Sequence, residues 1–196
     1  MKKTLYLMRH GQTVFNARDM VQGFCDSPLT ELGQRQPLYA KRWFEDHNVA
    51  FDHAYSSTQE RASDTLELIT DLPYERLKGI KEMNFGKFEG GPNHEMRKIG
   101  FGEDRDALIP FGGESWYAVQ DRAVRALTEV MEKDDHQTVL AVSHGCTIFA
   151  FTHKWFPEAT WEILKMTNCV ILKFEYEDGV FTFNYAVDHD FDRPLD

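Results

Sequence analysis

The apolar residues of this chain fall into two patterns. Thr4–Met8, Phe51–Tyr55 and Thr138–Ser143 are short, mostly apolar runs that read as strands. Val139-Leu140-Ala141-Val142 is apolar at every position, which suits a central parallel strand buried on both faces. The second pattern is helical. Leu32, Tyr39, Trp43 and Phe44 share a face behind Thr30 as N-cap. Ala62, Leu66 and Ile69 share another, behind Ser57 and Glu60 at capping-box spacing. Trp116, Val119, Ala123, Leu127, Val130 and Met131 predict an amphipathic helix from Ser115 to about Lys133, and Cys146–Trp155 predicts a further helix. Pro37 conflicts with the first of these, because proline removes a backbone donor and crowds the carbonyl four residues back. A kink near Gly33–Pro37, or a helix that begins near Pro37, is expected.

The remaining segments complete the architecture. Leu72–Lys78 predicts a short strand. Val170–Tyr176 and Val180–Tyr185 alternate about Asp178-Gly179, a hairpin signal. Gly11–Leu29 is polar and reads as a loop. Residues 79–113 are irregular and rich in glycine and proline, with a short helix expected at Glu95–Ile99. They predict a lid-like insertion, about residues 83–113, over the sheet edge. Asp188–Asp196 reads as an acidic, partly loose tail. The order of elements implies one α/β domain over residues 1–196. It is a three-layer α/β/α sandwich with a mostly parallel sheet, an antiparallel C-terminal hairpin edge and the lid.

Two of the strands run into a histidine followed by glycine: Arg9-His10-Gly11 and Ser143-His144-Gly145. In an open α/β sheet such strand ends share one edge, where ligands bind. Arg61 falls in the first helical turn after a third strand, at the same edge, and the loop adds Asn16. Two guanidiniums are forked donors suited to a tetrahedral oxyanion. Two imidazoles supply a nucleophile, an acid or a base. No carboxylate pair stands beside them in sequence to hold a divalent metal. The chemistry this set points to is phosphoryl transfer without metal or cofactor, on a small phosphorylated substrate.

Charge and composition narrow the setting. The formal net charge is −10 with no Lys/Arg cluster, which argues against a nucleic-acid partner and leaves a few arginines to draw in an anion. No apolar run reaches the roughly 20 residues of a membrane span. Cys25, Cys146 and Cys169 lack metal-ligand spacing and are odd in number, so reduced thiols and a cytoplasmic protein are expected. Cys146 has no arginine-bearing anion loop after it. His47, His53, His94, His136, His153 and His189 read as surface or packing histidines. The pattern carries no signal for oligomeric state.

Arg9-His10-Gly11-Gln12-Thr13-Val14-Phe15-Asn16 also resembles the RHG-x-T-x-x-N signature of the histidine phosphatase superfamily, in its phosphoglycerate-mutase-like branch. Asp26 through Gly33 resembles D-x-PLT-x-x-G, Ser56 through Ala62 resembles SS-x-x-x-RA, and Glu82 through Gly90 is similar to E-x-x-F-G-x-x-EG. Gly112-Gly113-Glu114-Ser115 and Val142-Ser143-His144-Gly145 complete the series. The resemblance implies that His10 is a nucleophile that becomes a phosphohistidine, its other ring nitrogen donating to a backbone carbonyl. It implies that Arg9, Arg61 and His144 hold the phosphoryl oxygens with help from Asn16. Glu82 would be the proton donor to the leaving group and then the base for water; Glu89 is a nearby carboxylate of equal formal ability. Thr13, Gln22, Gly23 and Gly145 would line the pocket. A phosphomonoesterase is the leading reading. A phosphoglycerate mutase shares its first half-reaction, and a non-catalytic phosphate-ester binding module is a third reading. The acidic balance of the segment from Glu82 to Gly113 favours the phosphatase, and its aromatics suggest a partly apolar pocket wall.

Overall fold

The computed structural model describes residues 2–193 and residue 195. The first strand, β1 (Lys3–Arg9), leads into a loop holding one short helix, α1 (Val14–Ala17), which Thr13 and Asn16 cap reciprocally. The chain continues through α2 (Glu31–Asp46), β2 (His53–Ser57), α3 (Glu60–Glu67) and β3 (Tyr74–Leu77). The irregular segment contributes α4 (Asn93–Arg97). Then follow α5 (Trp116–Met131), β4 (Thr138–Ser143), α6 (Gly145–Trp155), β5 (Ile171–Glu177) and β6 (Val180–Val187).

The sheet order is β3-β2-β4-β1-β5-β6. The first four strands in that order pair in parallel, and β5 and β6 add the antiparallel edge. This is the expected three-layer α/β arrangement. Asp178 and Gly179 both have positive φ, 51° and 82°, as a tight two-residue hairpin turn requires. The strands separate two cores. Leu5, Leu7, Val139 and Ala141 meet Leu127 and Met131 of α5 and Ile148 and Phe151 of α6. Tyr6, Met8, Leu140 and Val142 meet Ala40 and Phe44 of α2 and Ala62 and Leu66 of α3 on the other side. The unbroken apolar runs of β1 and β4 follow from this, since both faces are covered.

Three expectations change. α2 runs unbroken through Pro37. The carbonyl that proline deprives of its partner belongs to Gly33, and α2 there lies so close to the loop that a Cβ on Gly33 would be 1.9 Å from the Gln12 carbonyl oxygen. Second, β2 runs on through Ser57, and α3 is capped from Gln59 with no side-chain bond. The Ser57–Glu60 capping box does not form, because the Ser57 hydroxyl is used elsewhere. Third, the tail is anchored: the Tyr39 hydroxyl donates to the carbonyls of Phe191 and Arg193, and Thr167 bonds Asp188. Pro194 and Asp196 lie outside the described residues.

The insertion packs a small third core of its own. Met83, Phe85, Met96 and Leu108 gather with Val21, Trp116, Val119 and Ala150. Val21 exchanges backbone hydrogen bonds with Gly90 and Gly91, which joins the insertion to the loop after α1. It thereby walls one side of the C-terminal sheet edge.

Candidate active site

Because β1 and β4 are parallel neighbours, Arg9 and Ser143 fall in register at their C-terminal ends. The next residue in each case is a histidine, and the His10 and His144 rings lie 5.1 Å apart. Both are buried. His10 Nδ1 is 2.7 Å from the Gly11 carbonyl oxygen. A carbonyl only accepts, so Nδ1 carries the proton and Nε2 keeps its lone pair. Burial, then the charges of Arg61 and Arg9, hold the His10 pKa well below the ordinary imidazole value. The ring is therefore neutral at pH 7.

Arg61 ties the two imidazoles together. Its Nε lies 3.3 Å from His10 Nε2 and 3.1 Å from His144 Nδ1. Nη1 donates to the Cys25 carbonyl and to Asp26 Oδ1 at 2.8 Å, and Nη2 donates to the Gly23 carbonyl. Asp26 is the anionic partner that a buried cation in a first helical turn requires. With Nδ1 accepting from Arg61, His144 carries its proton on Nε2 and donates to Ser57 Oγ at 2.6 Å. Burial, then Arg61, lowers the His144 pKa well below its usual value too. Arg9 donates from Nη1 to the Met166 carbonyl, while its buried Nε has no partner among the described residues. Buried donors are nearly always paired. Arg9 is also one of the residues that line the cavity over this edge.

Glu82 is placed by helix geometry. His144 stands at the N-cap of α6 but offers no side-chain bond. The Glu82 carboxylate does so instead. Oε1 accepts from the Met83 and Thr147 N–H groups and from the Thr147 hydroxyl, and Oε2 accepts from the Cys146 N–H, all within 2.8–3.1 Å. The Glu82 N–H in turn donates to Gln59 Oε1, and Arg122 holds its carbonyl. Glu89, seven residues on, differs in use. Its carboxylate accepts from the N–H groups of Gly23, Phe24, Cys25 and Phe85. Burial pushes its pKa up, but these hydrogen bonds outweigh that and hold it below the ordinary carboxylate value. Glu89 is a fastener between loop and insertion.

A cavity of about 510 Å³ opens over this edge, and Arg9, His10, Asn16, Gln22, Glu82 and Gly145 line it. Arg61 and His144 stand behind His10, fully buried. Thr13 and Gly23 do not line the cavity, contrary to expectation. Thr13 caps α1 and bonds Gln22 at 2.6 Å, and the Gly23 carbonyl serves Arg61 and Gln59. The outer wall comes from Met20, Phe85, Met96, Arg97, Phe101 and Trp161. A second cavity of about 210 Å³ shares Phe101, Cys146 and Trp161 and adds Trp116, Phe149 and Arg105. Burial, then the Glu82 charge, pushes the Cys146 thiol far up, which disfavours its thiolate.

Sequence reasoning missed the residues that aim the others. Ser57 orients His144, Gln59 bridges Glu82 to Gly23, and Asn168 donates to the His10 carbonyl at 3.0 Å and reaches Asn16. Ser57 and Gln59 lay inside the block around Arg61, and that adjacency was the available signal. Asn168 and the Met166 carbonyl, remote in sequence, gave none.

The model of the histidine phosphatase superfamily (branch 1) matches residues 5–189. The chain is 32% identical over 188 residues to a probable phosphoglycerate mutase, GpmB, of Yersinia pestis, covering 89% of this chain and 86% of that protein. Among solved structures it superposes on Bacillus stearothermophilus YhfR with a TM-score of 0.83 and 26% identity, covering 96% of this chain and 98% of that one. A phosphoserine phosphatase from Entamoeba histolytica in complex with 3-phosphoglyceric acid superposes with a TM-score of 0.81 and 25% identity, over 96% and 98% of the two chains. The chain is an enzyme of the histidine phosphatase superfamily.

Proposed function

We propose that this enzyme is a metal-independent phosphomonoesterase that acts on small phosphorylated metabolites in the cytoplasm through a phosphohistidine at His10. The observation that carries the reading is the tautomer of His10. The Gly11 carbonyl holds the proton on Nδ1, so Nε2 keeps its lone pair, which accepts from Arg61 Nε at 3.3 Å and turns to phosphorus when substrate enters. His10 Nε2 attacks phosphorus in line, and the bond to the leaving oxygen breaks as Glu82 delivers its proton there. Glu82 then takes a proton from water, the water oxygen attacks phosphorus, and the nitrogen–phosphorus bond breaks to release inorganic phosphate. Arg9 Nε and Asn16 donate to the phosphoryl oxygens, and Arg61 and His144 join them from behind His10 once their present bonds open, the role a divalent ion fills elsewhere. Gln22 and Gly145 shape the pocket around them. Thr13 and Gly23 act indirectly, through Gln22 and Arg61. We read residues 83–113 as a lid and the whole chain as one catalytic domain.

The mutase reading shares this first half-reaction and is supported by the name of the Yersinia relative. A mutase must grip a second anionic group of a bisphosphorylated intermediate. Beyond Arg9, Arg97 is the one further lysine or arginine among the described residues that line the main cavity, and Phe101, Met96 and Trp161 make much of the remaining wall. That balance favours release of phosphate to water and a leaving group with an apolar part. The test compares phosphate release with isomerisation of 3-phosphoglycerate, with and without chelator. Isomerisation faster than hydrolysis would establish the mutase, and loss of activity with chelator would end the metal-free claim. Failure to trap phosphohistidine with any substrate would favour the binding module.

A further inference from the structure

The smaller cavity beside the phosphate site holds a cation that phosphoryl transfer does not use. This cavity, of about 210 Å³, adjoins the main one through walls shared at Phe101, Gly102, Cys146 and Trp161. The chain sets its position relative to Glu82. Met83 follows Glu82 and lines the smaller cavity. Cys146 lines both cavities and gives its N–H to Glu82 Oε2 at 3.1 Å. On the proposed mechanism Glu82 protonates the leaving oxygen, so the carbon skeleton attached to that oxygen departs beside this cavity.

Aromatic rings make much of its wall. Trp116 meets Phe149 edge-on with centroids 5.3 Å apart, and Phe149 meets Trp161 edge-on at 5.6 Å. Arg105 stands among these rings. Its guanidinium carbon lies over the Trp116 ring, 4.2 Å from the centroid. The Arg105 carbonyl accepts from the Trp116 N–H at 2.9 Å, so backbone and side chain are both tied to the start of α5. Nη2 approaches His153 Nε2 at 3.5 Å, and burial, then the Arg105 charge, lowers the His153 pKa. Among the described residues no carboxylate forms an ion pair with Arg105. A guanidinium carries more N–H donors than one imidazole occupies, so its fork is open to a ligand. Asp104 lines the same cavity, but its Oδ1 accepts from the Asp106 N–H at 2.9 Å within its own turn.

We propose that this cavity is the leaving-group subsite and that it takes an aromatic ring bearing a carboxylate, a reading that rests on the phosphatase assignment of the main site. The ring packs against Trp116, Phe149 and Trp161, where edge and face contacts add to the burial of apolar area. The carboxylate meets the Arg105 fork, whose planar donors match two carboxylate oxygens. A single negative charge suits the place better than a second phosphate. One guanidinium faces it, Asp104 shares the wall, and the net charge of −10 opposes a dianion. Because Arg105 is already held by Trp116, little side-chain freedom is lost on binding. Arg105 thus selects the substrate and takes no part in the chemistry.

Binding is measured first, on His10→Ala, which holds an ester without turning it over. Calorimetry compares phenyl phosphate with its 3-carboxy and 4-carboxy derivatives. At least one carboxylated ester is expected to bind about tenfold tighter than phenyl phosphate. Arg105→Gln in the same background should abolish that preference. Arg105→Lys, which keeps the charge without the fork, should retain only part of it. In the otherwise unaltered enzyme the same preference should appear in KM for phosphate release, with kcat nearly equal for the esters. Equal or undetectable binding of the three esters, or a preference that survives Arg105→Gln, overturns the subsite; phosphate release from phenyl phosphate would then leave the phosphatase reading standing. A preference for the carboxylated ester, with no phosphate released from any of the three by the parent, keeps the subsite and ends the phosphatase reading.

Discussion

The floor and the outer wall of the phosphate cavity are built by different physics. The floor is a product of strand register. β1 and β4 deliver His10 and His144, and Arg61 fixes a nitrogen of each ring. The wall contains little regular structure. It is held by carboxylates that collect backbone N–H groups: Glu89 from the loop and Phe85, Glu82 from the start of α6, and Glu114 from Asn84. A floor set by a sheet has almost no freedom to vary, because moving one strand end moves the whole register. A wall set by three side chains can change its apolar surface without touching the floor. On the proposed mechanism the floor and Glu82 carry chemistry common to all substrates, and the apolar part of the wall carries the choice among them.

The strongest break of that division is His10→Ala. Loss of the nucleophile should reduce kcat/KM about 10⁴-fold or more, and by a similar factor for every phosphate ester tried. Acid-labile phosphoprotein, trapped by rapid quench in the parent, should be absent in the variant. Full activity retained by His10→Ala would sink the mechanism.

The two glutamates sharpen the contrast. Glu82→Gln keeps an acceptor for the α6 N–H groups and removes the proton. It should lower kcat about 10²- to 10⁴-fold for alkyl esters and much less for a nitrophenyl ester, whose leaving oxygen needs no proton. Glu89→Ala strips the partner from four N–H groups and should cost about 2–4 kcal/mol of stability, read as a lower urea midpoint. If Glu89→Ala instead reproduced the leaving-group dependence, the roles would be exchanged.

That division also explains what could be read in advance. Periodicity located the strands and long helices because burial imposes it directly. β4 is apolar at each core position, and Ser115 caps α5 as its spacing predicts. The floor residues were legible because each stands at a strand end or in a first helical turn. The wall was not, because its fasteners are carboxylate-to-backbone bonds, which leave no periodic trace. Pro37 misled for a related reason: α2 continues through it with Pro37, Ala40 and Phe44 all buried, and burial against the rest of the molecule is a tertiary fact. Ser57 looked like a helix cap because its hydroxyl suits that use equally well, and only the position of His144 decides between them.

The floor should also make stability depend on pH in a way the wall does not. His10 and His144 fold with lowered pKa values, chiefly through burial. Unfolding below about pH 6.5 lets both rings take up protons that the folded state refuses. Their contribution is fully present above that pH and is lost as pH falls toward the folded values, at about 1.4 kcal/mol per pH unit for each ring. Urea midpoints measured from pH 7 down to pH 5 should fall in the parent and fall less steeply in His10→Ala. Parallel slopes would show that His10 is not held neutral.

The smallest effect tests the wall alone. Trp161 is 43% exposed, lines both cavities and meets Phe149 edge-on with centroids 5.6 Å apart. Its ring stands over Gly145, where an added Cβ would lie 2.9 Å from it. Trp161→Ala removes apolar surface that a bound ester covers in ground and transition state alike. It should therefore raise KM for an aryl phosphate about tenfold, leave kcat close to the parent's, and scarcely affect a small polar ester such as glycerol phosphate. The ratio of the two KM changes is the informative quantity, since a general loosening of the cavity wall would raise both. An equal rise for both esters would mean that Trp161 supports the floor. A fall in kcat with KM unchanged would mean that the tryptophan positions the reacting phosphoryl group through Gly145, and the line between floor and wall would have to be drawn on its outer side.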